Sequence, residues 1–324
     1  MKVSVLMVTY NHERYIAEAI ESVLMQVTNF DYEIVIGEDC STDRTREIVL
    51  EYQKRFPDKI RLLLQEVNTG GARNFSQTLE SCVGEYIALL DGDDYWTSTG
   101  KLQEQAEFLD AHPECSMCFH PVRVLYEDDD PSIPKNPPHN TIWPQGAKDF
   151  STIEDIIGSI FIHTSSAMLR NGLVKYPDWL YALRVGDWPL FILWASHGDV
   201  GCIRSEMSVY RNHFGGIWYT VDVAAKYDEI IRMYHGINTH LEYRYAKIIR
   251  RLLADYYFRF GLLLDQAGDW KRAKHYIGRS LATQLRNRQK PRLNEIKMMT
   301  RFSFPHLHAF CKRLARGWAH NPSS

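Results

Sequence analysis

Gly84-Glu85-Tyr86-Ile87-Ala88-Leu89-Leu90-Asp91-Gly92-Asp93-Asp94 is the stretch on which the fold turns. Tyr86–Leu90 carries no charge and reads as a short strand buried on both faces. It ends in three carboxylates within four residues. Carboxylates that close together repel one another, and a cation relieves the repulsion. Hard oxygen ligands suit Mg²⁺ or Mn²⁺, with a substrate diphosphate completing the coordination shell. Asp and Gly are also favoured turn formers, so spacing alone leaves a solvated acidic turn open beside a metal site.

Toward the N-terminus, strands and helices alternate. Val3–Thr9 reads as a strand, and residues 13–26 as an amphipathic helix with Ile16, Ala19, Ile20, Val23 and Leu24 on one face. Residues 33–37 form a second strand, Ser41 or Thr42 caps a helix running to about Arg55, residues 59–65 form a third strand, and a helix spans 72–82. This alternation predicts a parallel sheet with helices on both faces. Ligands of such sheets sit beyond the carboxyl ends of the strands. There stand Thr9-Tyr10-Asn11, Glu38-Asp39 and Asp91–Asp94.

Toward the C-terminus, residues 115–126 read as one longer strand, and the Pro/Asn-rich 131–144 as a surface loop or an irregular hairpin, its five prolines arguing against regular structure. A strand at 162–169, a helix at 187–197 and a strand at 200–211 precede Gly215-Gly216. Beyond about 221 the pattern is helical. Residues 241–264 and 270–285 form an α-hairpin similar to a single tetratricopeptide unit, and one copy is too few for an array. The expected division is a catalytic domain at 1–220 (a donor half to about 112, an acceptor half from 113) and a helical region at 221–324.

Four segments together resemble the family 2 glycosyltransferases of the GT-A fold, over roughly residues 2–220. They are Ser4–Asn11, Glu33–Asp43, Asn68-Thr69-Gly70-Gly71-Ala72-Arg73-Asn74, and Gly84–Asp94. The resemblance implies an α/β mixed sheet flanked by helices, and a nucleotide-sugar donor bound with Mn²⁺ or Mg²⁺. It also implies an inverting hexosyl- or N-acetylhexosaminyl-transferase that works on a glycan or lipid-linked acceptor in cell-surface polysaccharide synthesis. By position, Thr9, Tyr10, Asn11 and Glu13 would line the nucleotide loop, and Asp39 would accept from a base imide N–H. Asn68, Gly71 and Arg73 would form the donor loop. Asp91 and Gly92 would face ribose or metal, and Asp93 would be the direct ligand. Glu38-Asp39-Cys40 stands where the family commonly has Asp-Asp-Gly, which leaves the base specificity open.

A single displacement needs a base for the acceptor hydroxyl. Asp187, in Arg184-Val185-Gly186-Asp187-Trp188-Pro189, opens a helix, and Asp is also a favoured N-cap. The family places its catalytic acid residue in such a position, so the resemblance implies Asp187 as general base. In Tyr210-Arg211-Asn212-His213-Phe214-Gly215-Gly216-Ile217-Trp218, similar to a family segment, His213 is expected at the diphosphate or metal. Arg211 and Trp218 would lie beside the donor, and the two glycines would let the loop close. His163 is assigned at most to acceptor binding. Cys115 and Cys118 have no second pair to complete a zinc site.

The 324 residues carry a net charge of -2 that hides an asymmetry. Residues 1–240 hold 20 basic against 35 acidic side chains, and residues 241–324 hold 18 against 5. Such polarity suits contact with an anionic partner such as the inner membrane surface. Phe302, Phe304, Leu307, Phe310, Leu314 and Trp318, interleaved with Lys312, Arg313 and Arg316, fit an interfacial helix as well as a solvated basic tail. No stretch reaches the roughly 18 apolar residues of a membrane span, and six scattered cysteines fit a reducing compartment. The expected location is therefore cytoplasmic, with peripheral membrane contact, and no nucleic-acid partner is expected. Two rivals stand beside this reading. A nucleotidyltransferase lacks its Gly-rich, lysine-bearing loop here. The other is an inactive nucleotide-sugar-binding or scaffold protein acting through its hairpin.

Overall fold

Strand β1 (Val3–Thr9) lies between β2 (Tyr32–Glu38) and β4 (Tyr86–Asp91), parallel to both, and β3 (Ile60–Leu64) extends the set beyond β2. Helices pack on these strands, which explains why β2 is buried along its whole length and carries little alternation. Register sets Thr9 opposite Glu38 and Val8 opposite Asp91. The loops after β1, β2 and β4 therefore leave one edge of the sheet.

The computed structural model describes residues 1–127, 138–184, 186–213, 216 and 222–303. They fall into two units, Met1–Thr220 and Val221–Ser324. Among the described residues no helix is long and apolar enough to cross a membrane. Trp218 and the 304–324 part of the basic tail lie outside the described residues.

The sheet of the first unit is mixed. Beyond β4, the antiparallel strand β10 (Met168–Arg170) is inserted, followed by β6 (Cys115–Phe119), β11 (Asp199–Cys202) and β9 (Phe150–Ser151). A second sheet has the order β5 (Tyr95–Trp96), β12 (Ser208–Asn212), β7 (Val122–Tyr126) and β8 (Thr141–Trp143). The single strand expected at 115–126 is thus two, broken at His120-Pro121, where proline lacks the N–H a ladder needs. The strand expected at 200–211 likewise splits between the sheets as β11 and β12. Of 162–169, Thr164–Ser166 is a 3₁₀ turn, and the strand β10 begins only at Met168.

Helices α1 (Ile16–Leu24), α2 (Thr45–Arg55), α3 (Gly71–Ser81) and α4 (Lys101–Ala111) follow strands β1, β2, β3 and β5, and α5 (Ile153–Gly158) and α6 (Asp187–Ala195) come later. Neither Ser41 nor Thr42 caps α2. Asp43 Oδ1 accepts the Thr45 N–H, while Ser41 and Thr42 bond to Asn11 of the first loop. Helix α6 is buried from Trp188 through Ala195, as expected of a helix apolar on all sides.

Lys101 is fully buried in α4, its ammonium donating to Gln105 Oε1 and lying 4.0 Å from the Trp96 ring centre. Burial pushes it down from 10.5 to about 7. Between those values the unfolded chain holds a proton that the native lysine has released, so native stability must rise with pH across about 7 to 10.5. The slope is at most about 1.4 kcal/mol per pH unit. Denaturant unfolding from pH 7 to 9.5 is expected to show this rise, and Lys101→Met is expected to remove it. Parallel curves for parent and variant would contradict the burial argument.

In the second unit, Asp222 caps α7 (Val223–His240), accepting from the Ala224 and Ala225 N–H groups. Helices α8 (Ala246–Gln266) and α9 (Trp270–Arg286) form the hairpin, joined through Gly268 at φ 82°, a left-handed helix end that glycine adopts without strain. Close approach is possible because Gly261 has no side chain: a Cβ there would stand 2.6 Å from Ile277 Cδ1. Helix α10 (Leu293–Ser303) adds Glu295, a fully buried carboxylate that the Ser280 hydroxyl and Gln284 amide satisfy.

Candidate active site

Asp91 closes β4, and Gly92 turns the chain beside β1. A Cβ on Gly92 would stand 2.7 Å from Thr9 Oγ1 and 2.8 Å from Thr9 Cβ, so only glycine fits without a shift. Asp93 follows partly buried and Asp94 almost fully buried. Burial pushes the Asp91 carboxyl well above the usual range, with the charges of Asp93 and Asp187 adding to it. Asp94, 2% exposed, is raised by burial and then by Asp93 and Asp91, against the Arg211 backbone N–H that donates to it at 2.8 Å. Asp93 goes the other way. Burial raises it, but the His12 and His213 imidazoles outweigh that and bring it to about 2.

His213 Nε2 lies 3.1 Å and His12 Nε2 3.6 Å from Asp93 Oδ2. Thr9 Oγ1 meets His12 Nδ1 at 3.3 Å, so the buried end of β1 aims the ring at Asp93. The sequence reading brought His213 here and missed His12. The one available signal was His12's place in the loop after β1.

Arg211, expected beside the donor, stands against the acidic turn. It is 6% exposed and pairs with Glu18 and Glu127, donates to the Asp93 carbonyl, and lies over the rings of Tyr15 and Tyr95. These contacts commit it to bracing the acidic turn from behind.

Asp187 is the first residue of α6, its cap being Gly186, and its Oδ1 accepts the Trp188 N–H at 2.8 Å. Its Oδ2 lies 3.5 Å from the Thr164 hydroxyl, which also faces Asp91 closely enough to favour its charged form. One threonine thus joins two carboxylates 96 positions apart in the chain. Burial raises Asp187 above the usual carboxylate range, against hydrogen bonds from the Trp188 N–H and Thr164. His163 stacks on Tyr210 at 3.7 Å between ring centres and lies 3.7 Å from Asp94. Burial holds it down at about 3, an uncharged ring inside the site.

The donor-side loops lie along the strand ends. Asp39 is 2% exposed, its Oδ1 accepting the Thr69 N–H and hydroxyl and its Oδ2 the Gly70 N–H at 2.9 Å. Asp39 therefore fixes the 68–71 loop, and only its remaining lone pairs are left for a base. Asn11 and Glu13 staple the first loop to the second, Asn11 Oδ1 accepting the Thr42 N–H and Glu13 the Arg44 N–H. Tyr10 is exposed at the loop surface, as are Asn68, Gly71 and Arg73, and Arg73 lies over Tyr181 at 5.2 Å.

Residues 4–176 match the family model of glycosyl transferase family 2. The chain belongs to that family. An uncharacterised protein of Mycobacterium tuberculosis is 39% identical over 217 residues, 67% of this chain and 60% of that protein. The chain thus spans about 60% of the length of that relative. An uncharacterised glycosyltransferase of Nostoc sp. is 30% identical over 244 residues, 74% of this chain and 67% of its own. Among solved structures, Staphylococcus aureus TarS 1-349 in complex with UDP-GlcNAc superposes with a TM-score of 0.62 at 22% identity, covering 86% of this chain and 82% of that one. The mixed sheet flanked by helices is the GT-A arrangement of this family.

The residues fit the divalent cation such folds employ. Among the described residues no three His, Cys, Asp or Glu side chains form a ready-made cage. Asp93 and His213 instead offer one oxygen and one nitrogen, the partial set expected where substrate phosphate and water fill the remaining positions. Burial, and after it the neighbouring carboxylate charges, raises Asp91 and Asp94, and a cation would relieve the repulsion.

Proposed function

We propose that this protein moves a sugar from a nucleotide diphosphate, UDP-sugars favoured, to a hydroxyl of a glycan or lipid-linked acceptor, with inversion at the anomeric carbon. The observation that carries the reading is the Asp187–Thr164–Asp91 arrangement, a candidate base beside the metal-type cluster. The similar TarS is named a poly(ribitol-phosphate) β-N-acetylglucosaminyltransferase, 37% identical over 114 residues covering 35% of this chain and 19% of TarS. That name supports sugar transfer to a phosphate-bearing polymer, and the UDP-GlcNAc of the TarS complex supports a UDP-linked donor.

Asp93 and His213 would hold Mn²⁺ or Mg²⁺, which when bound neutralises charge growing on the departing diphosphate. Asp187 accepts the acceptor's hydroxyl proton as its oxygen attacks the anomeric carbon and the bond from that carbon to the diphosphate breaks. Burial of Asp187 brings its carboxyl toward the range where a base works well. Thr164 keeps it oriented. Tyr10, Asp39, the 68–71 loop and Arg73 surround the nucleotide, and Arg211 keeps Asp93 and Asp94 in place. Peripheral contact with the inner membrane face, through the basic tail in a cytoplasmic protein, belongs to the same proposal.

Thermal unfolding with UDP-, GDP- and dTDP-sugars plus Mn²⁺ tests the donor. At a hundred times its dissociation constant the right donor adds about 2.7 kcal/mol. The expected result is a clear upward shift with a UDP-sugar. No shift with any of the three families would overturn the donor reading.

A further inference from the structure

We propose that the helical unit carries its own binding site for a phosphate-bearing saccharide, in the cleft between α7, α8 and α9. The cleft holds about 580 Å³, within the range of small-molecule sites. Its lining includes Arg250, Arg279, Arg286, Asn238, Tyr243 and Tyr257, all from the second unit.

Three observations converge on the ligand class. First, none of the three arginines forms an ion pair among the described residues, so three arginines line one cleft without a neutralising carboxylate. Arg279 is held in place by stacking on Tyr257 at 4.4 Å and donating to His235 Nε2 at 3.3 Å. Arg250 donates through Nε to the Ala246 carbonyl, turning only one of its nitrogens inward to the helix. Guanidinium groups so arranged bind phosphate oxygens.

Second, Asn238 Oδ1 is buried with no hydrogen-bond partner, and Asn238 is 9% exposed on the cleft wall. An orphaned buried acceptor costs about 1–3 kcal/mol unless a donor arrives. Inorganic phosphate has little to donate to it, whereas a sugar hydroxyl does. Third, Tyr243 stands at the rim, 61% exposed, in a turn where Glu242 and Tyr243 both adopt left-handed backbone, at φ 49° and 60°. Such strain in non-glycine residues is held only by surrounding structure, and it presents an aromatic face suited to the apolar side of a sugar ring. A phosphorylated sugar meets all three features. A flat lipid surface would not reach the buried amide.

The test is calorimetry on the full chain, with UDP present at saturation so that the nucleotide loops are filled. The heat of UDP binding is recorded separately, so failure of the donor proposal and failure of this one are distinguishable. Glucose 6-phosphate is titrated, with glucose, inorganic phosphate and hexaglutamate as comparisons. Glucose 6-phosphate is expected to bind more tightly than phosphate, with glucose silent. Arg250→Gln/Arg279→Gln is expected to weaken it at least about tenfold, or about 1.4 kcal/mol, with UDP binding retained. Arg286→Gln, at an exposed rim position, gives the same direction of change without touching the core. Undetectable glucose 6-phosphate binding, equal binding in both variants, or tighter binding of hexaglutamate would each overturn the proposal, the last in favour of an acidic peptide site.

Discussion

Asp93→Ala is expected to reduce cation-dependent donor affinity by at least about a hundredfold, which is about 2.7 kcal/mol, and to abolish transfer. Asp93 is the carboxylate that two imidazoles hold at about 2, so it stays charged throughout the usable pH range. Asp91 and Asp94, both raised by burial, are poorer direct ligands until a cation is present. Calorimetry of a UDP-sugar with and without Mn²⁺ distinguishes the three. Alanine at Asp93 should remove the Mn²⁺-dependent part of the affinity. Binding of donor and Mn²⁺ equal to the parent's would show that the cluster braces the fold and holds no metal.

Asp187→Asn is expected to leave donor affinity within about twofold and to lower transfer by about 10²–10⁴, the usual contribution of a general base. Asparagine keeps the side-chain volume, its amide oxygen can still accept from the Trp188 N–H, and its NH2 group, standing where Oδ2 stood, can donate to the Thr164 hydroxyl oxygen, so the local packing persists with that one bond reversed. What is lost is proton acceptance. Single-turnover kinetics read the effect directly, with donor binding measured in parallel. An unchanged rate would reduce Asp187 to a residue that steadies the start of α6.

Much of this site was legible because the donor half is local. In Val3–Asp94 each strand runs directly into its polar loop, so Thr9, Asp39 and Asp91 follow from apolar runs ending in charge. The meeting of Asp187 with Asp91 was not legible from spacing. It depends on β10 running antiparallel beside β4, which brings the Thr164 turn between the two carboxylates. Resemblance to a family pointed to Asp187 where pattern alone favoured a cap. The pairing of Arg211 with Glu18 and Glu127 was not legible, because those carboxylates come from distant segments, α1 and the end of β7. His12 went unnoticed since a histidine in a polar loop carries no periodic signal, and its role rests on Thr9 turning the ring.

The candidate base beside the acidic cluster predicts chemistry on a nucleotide sugar, beyond binding alone. Phosphorus NMR of a UDP-sugar incubated with the protein and Mn²⁺, with and without a glycan acceptor, tests it most directly. Release of UDP is predicted, slow by hydrolysis alone and faster with acceptor, the acceptor-dependent part falling by about 10²–10⁴ in Asp187→Asn. Intact donor after prolonged incubation with every sugar nucleotide, alongside full nucleotide binding, would contradict the account and leave a donor-binding scaffold in its place.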